Sequence, residues 1–256
     1  MKVIKVDLKD REDIEILPLA DLHIGSKECD IKLIKETIDY IKNTPHVYTI
    51  LNGDIIDNTL INSVGVPYDN DLQPMEQLKT AIDLLEPIKD KILVVTAGNH
   101  EIRTTKQTNI DLMWIVSKQL GLVDRYAQGF WYLYVYFGEK KSGRKAPMVY
   151  TISGYHGSGG GRTAGAKANR LVDMSNIAVA DLYIMSHTHM PMSTKKCIFV
   201  PDYANKALTL KEMHYMMTNS FLDYGGYGEA AAFHPSSKTL VKAKLNSKKR
   251  EIQVTI

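Results

Sequence analysis

"LADLHIGS", residues 19–26, is the stretch on which the reading of this chain turns. An apolar run, Ile14 to Leu19, leads straight into Asp21 and His23, two polar residues one apart. On a strand the side chains of residues i and i+2 share a face. If the strand continues through this point, a carboxylate and an imidazole leave its end side by side. They are then either a turn-favouring Asp with an incidental His, or half of a ligand set, and the rest of the chain has to decide.

The same event recurs along the sequence. Ile50-Leu51 leads to Asn52, Gly53, Asp54 and Asp57; Val94-Val95 leads to Gly98, Asn99, His100 and Glu101. Ile184-Met185 leads to Ser186, His187, Thr188 and His189, and the run "YTISGYHG" (150–157) carries His156 at its end. Between these runs, "DIKLIKETIDYIKN" (30–43) spaces Ile31, Ile34, Ile38 and Ile41 on one helical face, with Asp30 placed as N-cap. "VYTIL" (47–51) and "KILVVTA" (91–97) read as strands, and "PMEQLKTAIDLLEPIKD" (74–90) as the helix between them. Strands alternating with helical patterns indicate parallel βαβ units. In open α/β sheets ligands bind outside the carboxyl ends of the strands. All five polar groups are therefore predicted at one edge.

The second half changes character. "FWYLYVYF" (130–137) alternates strictly, with Trp131, Leu133, Val135 and Phe137 on one face and Tyr132, Tyr134 and Tyr136 on the other, a pattern of core and cross-strand packing. "KKSGRKAP" (140–147) reads as a solvated hairpin loop before a return strand. A helix-like piece (162–175), the strand "DLYIM" (181–185) and several later strands complete a single expected domain over 1–256, with two packed sheets and outer helices.

Composition narrows the class. Hydrophobic content of 44% and charged content of 24% are those of an ordinary globular protein. The net charge of +3 permits a phosphate-bearing partner without the concentrated basic stripe of a dedicated nucleic-acid binder. Cys29 and Cys197, far apart in sequence, rule out a disulfide scaffold and fit a reducing compartment. The charged N-terminus and the absence of any apolar window near ~18 residues make a cytoplasmic location, away from membranes, the expectation.

Charged groups converging on one pocket must be paired or bind metal. Imidazoles mixed with carboxylates suit a divalent transition metal better than Mg²⁺ or Ca²⁺, which favour oxygen. In order, the chain reads D-x-H (Asp21, His23), G-D-x-x-D (Gly53, Asp54, Asp57), G-N-H-E (Gly98 to Glu101), a lone His156 and x-H-x-H (His187, His189). Over residues 19–190 this order and spacing resemble the calcineurin-like metallophosphoesterase superfamily, with Ser186 standing where the family usually has Gly.

The resemblance implies a four-layer α/β/β/α sandwich of two mixed sheets, with a dimetal site at the strand carboxyl ends. It implies that Asp21, His23 and His189 hold one divalent ion, that Asn99, His156 and His187 hold a second, and that Asp54 bridges them. Manganese is the expected metal, with iron, zinc or nickel as alternatives. His100 is implied to face the phosphate and serve the leaving oxygen, Asp57 to orient and charge His100, and Glu101 to support the loop. His46, His214 and His234 fall outside the pattern and are expected to be structural.

The glycine-rich stretch "GYHGSGGGRTAGAKANRL" (154–171) is a decoy for two phosphate-binding motifs. Ala166 stands where a P-loop needs Lys after Gly160 and Gly165, and Arg162 stands where G-x-G-x-x-G needs its last glycine. What remains are Arg162, Lys167 and Arg170 as candidate substrate contacts, or else the solvated start of a helix. Tyr224 and Tyr227 in "SFLDYGGYGEAAAFHP" (220–235) are candidates to stack on a base or sugar, or simply to close the fold. "GDIIDNTL" (53–60) lacks the Arg-Gly of the protein phosphatases. The expected activity is phosphoester hydrolysis by metal-activated water, on phosphodiesters of nucleotides or nucleic acid and including a nuclease. The alternatives are a phosphomonoesterase and a non-catalytic metal-binding scaffold, and the complete ligand set argues against the scaffold.

Overall fold

A computed structural model describes residues 1–8, 12–63, 65–138, 148–159 and 161–256, without the side chain of Tyr227. The elements run β1 (Lys2–Leu8), β2 (Asp13–Ile16), α1 (Ile31–Asn43), β3 (Val47–Asn52), α2 (Pro74–Leu85), β4 (Ile92–Thr96) and α3 (Asn99–Thr108). They continue with α4 (Leu112–Gln119), β5 (Tyr126–Ala127), β6 (Trp131–Phe137), β7 (Met148–Tyr155), α5 (Ala164–Asp173) and β8 (Leu182–Met185). The chain closes with β9 (Met192–Asp202), β10 (Ala207–Met217), α6 (Gly226–Ala230), β11 (Lys242–Asn246) and β12 (Ile252–Thr255).

Two six-stranded sheets result, in the orders β1-β6-β7-β8-β10-β9 and β12-β11-β2-β3-β4-β5. Both are mixed. In the second, β2, β3, β4 and β5 run parallel and β11 opposes β2. In the first, β8 runs parallel to both β7 and β10, while β6 and β7 are antiparallel.

The alternation in β6 explains how the sheets meet. Trp131, Leu133, Val135 and Phe137 are buried and join Ile14, Ile16, Ile50 and Val94 of the facing sheet in one core. Tyr132, Tyr134 and Tyr136 are half-buried on the other face. On the outer side of the β2–β5 sheet, Ile34, Ile38 and Ile41 of α1 pack with Leu78 and Ala81 of α2 and Val116 of α4. Leu171 of α5 packs on Tyr183, Met185 and Tyr215 on the outer side of the other sheet. These four layers are the expected α/β/β/α sandwich.

Local corrections have local causes. Ile31, the first residue of the helix, is 38% exposed rather than part of the buried stripe. The second helix stops at Leu85, not at 90, and residues 86–91 tighten into a 3₁₀ turn. Pro87 lacks the amide hydrogen an α-helix needs there. The expected 140–147 loop lies outside the described residues. Among the described residues, no helix is long and apolar enough to cross a membrane.

Asp30 caps α1 as expected, its Oδ1 accepting from the Leu33 amide at 3.0 Å. Its Oδ2 also accepts from Lys238 Nζ at 2.6 Å. Asp30→Ala is expected to lower stability by about 1 kcal/mol in urea unfolding. Asp30→Asn keeps a capping oxygen and loses only the ion pair, so its expected loss is under about 1 kcal/mol.

Candidate metal centre

The first motif reaches the site by a route other than an extended strand. β2 ends at Ile16, just before Pro18, and beyond it the chain keeps an isolated pairing of Leu19 with Leu51. Asp21 (φ 53°) and His23 (φ 47°) then adopt left-handed backbone. Their common direction comes from a neighbour instead. The Asp21 amide donates to Gly53 O at 3.1 Å, the Leu22 and His23 amides to Asp54 O at 2.9 and 3.1 Å, and the Ile24 amide to Ile55 O at 3.0 Å. Leu22 and Ile24 are buried in the core below. The D-x-H and G-D-x-x-D loops thus run side by side.

Asp54 (φ 52°), His187 (φ 68°) and His189 (φ 53°) are left-handed as well. For a residue with a side chain this costs on the order of 1 kcal/mol each, and it persists only where surrounding contacts impose it. Glu101 imposes part of it. Its Oε1 accepts from the Ile55 and Ile56 amides at 2.7 and 3.1 Å, and its Oε2 from the Asp54 and Gly98 amides at 3.0 and 2.8 Å. This buried carboxylate is the brace of the G-D-x-x-D turn. Gly98 is required by proximity, since a Cβ there would lie 2.1 Å from Asp54 Oδ1.

Asp54 stands at the middle of the ionisable groups. Its Oδ1 accepts from the His100 amide at 2.8 Å. Its Oδ2 lies 3.1 Å from His156 Nε2, 3.8 Å from His100 Nε2 and 4.0 Å from His23 Nε2. Asp21 Oδ2 accepts from the His187 amide at 3.0 Å, and its Oδ1 lies 3.2 Å from His189 Nε2. His23 Nε2 faces His189 Nε2 at 3.4 Å, and His156 Nε2 faces Asn99 Oδ1 at 3.0 Å. The ligand atoms of Asp21, His23 and His189 lie close enough to hold one ion, and those of Asp54, His156 and His187 another. A third grouping, His23, Asp54 and His100, overlaps both. These clusters suggest a divalent two-metal site.

Charge follows this geometry. Burial alone would raise the Asp54 carboxyl, but the His156 and His100 imidazoles hold it well below the usual carboxylate range. Burial likewise works against a charged His156, yet the adjacent Asp54 carboxylate pushes it up to about 10.

Asn52, at the end of β3, ties the centre to both sheets. Its Nδ2 donates to Tyr155 O at 3.0 Å and Ser186 Oγ at 2.7 Å, and its Oδ1 accepts from Trp131 Nε1 at 3.1 Å. Its own carbonyl accepts from His156 Nδ1 at 2.8 Å, which leaves His156 Nε2 turned into the site. Ser186, the departure from the family glycine, uses its hydroxyl here. The role of Asn52 was hidden in sequence because its three side-chain partners come from β6, β7 and the turn after β8.

The implied His100–Asp57 pair takes a different form. His100 Nδ1 donates to the backbone carbonyl of Asp57, while the Asp57 carboxylate lies 3.6 Å from that nitrogen and 3.5 Å from His23 Nδ1. Thr59 Oγ1 and Asn70 Nδ2 both donate to Asp57 Oδ2. Burial pushes His100 down to about 4, with the positive neighbours His23 and Arg103 reinforcing it and the Asp54 and Asp57 carboxylates opposing it. The Asp57 carboxylate still favours the charged ring, but it is shared and not in direct contact, and burial opposes it. Arg103, which the sequence reading missed, donates to His100 Nε2 at 3.1 Å.

The candidate substrate contacts are divided. Lys167 donates to Thr188 O at 2.9 Å, between His187 and His189. Arg170 is spent on Ser158 O, while Arg162 donates to Ala231 O at 3.2 Å and lies over the Phe233 ring. Tyr224 is exposed, and the side chain of Tyr227 lies outside the described residues. Of the remaining histidines, His214 is buried with its Nε2 2.9 Å from Glu212 Oε1, away from the centre.

Residues 14–191 match the family model described as calcineurin-like phosphoesterase. No curated protein matches the chain. Among solved structures, a predicted phosphoesterase from Streptococcus pneumoniae is similar at 13% identity and a TM-score of 0.37, over 94% of this chain and 88% of that one. A metallophosphoesterase from Sphaerobacter thermophilus is similar at 12% identity and a TM-score of 0.41, over 94% and 87%. GAP50, the anchor in the inner membrane complex of Plasmodium, is similar at 12% identity and a TM-score of 0.46, over 95% and 84%.

Asn52→Leu is expected to leave Trp131 Nε1 and Ser186 Oγ buried and unpaired, at a cost of roughly 3 kcal/mol in chemical denaturation. The tryptophan fluorescence of the folded variant should shift as the indole loses its acceptor. A stability equal to wild type would remove Asn52 from the role given to it here.

Proposed function

The chain belongs to the calcineurin-like phosphoesterase family, and we propose that it hydrolyses phosphoesters at the carboxyl edge of its two sheets, acting on phosphodiesters of nucleotides or nucleic acid. The observation that carries this reading is the position of Asp54, one carboxylate shared between two clusters of metal-binding side chains.

The donors suit divalent ions. Asp21 Oδ1 and His23 Nδ1 are buried with no well-aligned hydrogen bond, facing only His189 Nε2 at 3.2 Å and Asp57 Oδ1 at 3.5 Å. The Nδ1 of His156 donates to the Asn52 carbonyl, so Nε2 stands beside Asp54 Oδ2 and Asn99 Oδ1, where a cation would take the place of the Nε2 proton among nitrogen and oxygen donors. Asp21, His23 and His189 would hold one ion and Asn99, His156 and His187 the other, with Asp54 available to both, and these nitrogen and oxygen donors favour manganese, iron, zinc or nickel. When bound, such a pair supplies Lewis acidity to phosphoryl oxygens and makes water acidic enough to attack phosphorus.

The protein's own groups supply the rest. The Asp57 carbonyl holds the His100 ring by Nδ1, so that Nε2 faces the site. Burial disfavours the charged ring before substrate arrives, and the negative charge of a phosphoester beside it raises its proton affinity. His100 Nε2 then takes a proton from solvent and passes it to the leaving oxygen as the P–O bond breaks. The choice of diesters rests on charge: the net +3 and the Lys167 ammonium, bound to the Thr188 carbonyl in the turn that carries His187 and His189, favour an extended anionic substrate.

Hydrolysis of an aryl phosphodiester and of the matching monoester, with Mn²⁺, tests the reading. Diester turnover at least tenfold above monoester is expected. A reversed preference would make the protein a phosphomonoesterase, and no turnover with any of several divalent metals would leave a non-catalytic scaffold. His100→Ala is expected to lower kcat by about 10²–10⁴-fold, while calorimetric titration still finds both ions. Loss of an ion in that variant would instead make His100 a ligand. Asp54→Ala should weaken both ions.

A further inference from the structure

Arg103 is a cation at this site that no acid answers. It stands one turn into α3, and helical side chains lean back toward the N-terminus of their helix. That lean brings its guanidinium to His100, where it donates to Nε2 at 3.1 Å. Among the described residues, no carboxylate lies within ion-pair distance of it, although the side chain is half-buried. A partly desolvated charge is ordinarily paired.

The acids nearby are all committed elsewhere. Asp54 serves the His100 amide and the imidazoles around it. Asp57 accepts from Thr59 and Asn70, and Glu101 from four backbone amides. The guanidinium therefore spends one of its five donors on an imidazole nitrogen rather than on a carboxylate. Its planar fork matches two oxygens of a phosphate, and it stays half-open to solvent beside the nitrogen that faces the reaction.

The geometry points to Arg103 as a phosphate-binding residue: it turns from His100 Nε2 onto a non-bridging oxygen of the substrate's phosphoryl group. That move frees Nε2 to face the leaving oxygen, so the contact seen here is the resting arrangement. This assignment rests on the phosphoesterase reading above.

The test uses Mn²⁺-loaded wild type, Arg103→Ala and Arg103→Lys, with inorganic phosphate as the probe in calorimetry and the two aryl esters as substrates. Arg103→Ala is expected to weaken phosphate binding by about 10- to 100-fold, with KM rising by a similar factor. The number of bound ions and the thermal midpoint should stay at wild-type values. Arg103→Lys should recover part of the phosphate affinity, since it keeps the charge without the fork. Unchanged phosphate affinity and KM in Arg103→Ala would overturn the assignment. So would a fall in bound ions or in thermal midpoint that accounts for the weaker binding, because the role would then be structural. A wild-type protein that binds its ions but neither binds phosphate nor hydrolyses either ester would overturn the phosphoesterase reading itself, and Arg103 with it.

Discussion

The side-chain amide of Asn52 lies where the two sheets meet, wholly buried, with both of its hydrogens and its oxygen engaged by the opposite sheet. A two-sheet core made only of Ile, Leu, Val and Trp would bury its apolar area about equally well at several offsets. Hydrogen bonds are directional, and a buried one left unmade costs about 1–3 kcal/mol. The Asn52 contacts therefore select one offset of the sheets at their carboxyl edge. Because the Asn52 carbonyl also holds His156, that offset sets where this imidazole of the first sheet stands against Asp54 of the second.

Above this junction the centre is built from backbone that a side chain normally avoids. Asp21, His23, Asp54, His187 and His189 all sit at positive φ, with side chains directed into one small volume. The strain is held by bonds between loops: the 21–24 segment on the 53–55 carbonyls, Glu101 on four amides, and Asp21 on the His187 amide. Apart from the local Glu101–Gly98 bond, these contacts join segments distant in sequence, so the arrangement forms as a unit.

The electrostatics follow from crowding. Imidazoles and carboxylates packed this closely cannot all keep their solution charge. Asp54 stays ionised among imidazoles, His156 is driven toward the charged form, and His100 toward the neutral one. The same residue type thus has opposite tendencies at two places in one site. The difference is contact: His156 Nε2 lies 3.1 Å from Asp54 Oδ2, whereas His100 Nε2 is 3.8 Å from that oxygen and takes a hydrogen bond from Arg103.

The sequence by itself determined the layers and which polar residues gather at one edge of them. Period-two alternation in "FWYLYVYF" marked the buried face of β6, helical spacing placed Ile34, Ile38 and Ile41, and Asp30 marked the start of α1. The five polar clusters at strand ends marked the edge where Asp21, His23, Asp54, Asn99, His156, His187 and His189 gather. These are local or periodic signals, and each survives without knowledge of what lies opposite. What only the tertiary structure decided are the partners: that Asp21 and His23 reach the site through left-handed loop backbone, that Asn52 joins the sheets, that His100 leans on a carbonyl and faces Arg103, and that Arg162 and Arg170 are taken up by loop carbonyls. Hydrogen bonding and desolvation depend on which distant segments come within about 3 Å, and residue spacing along a chain carries no measure of that distance.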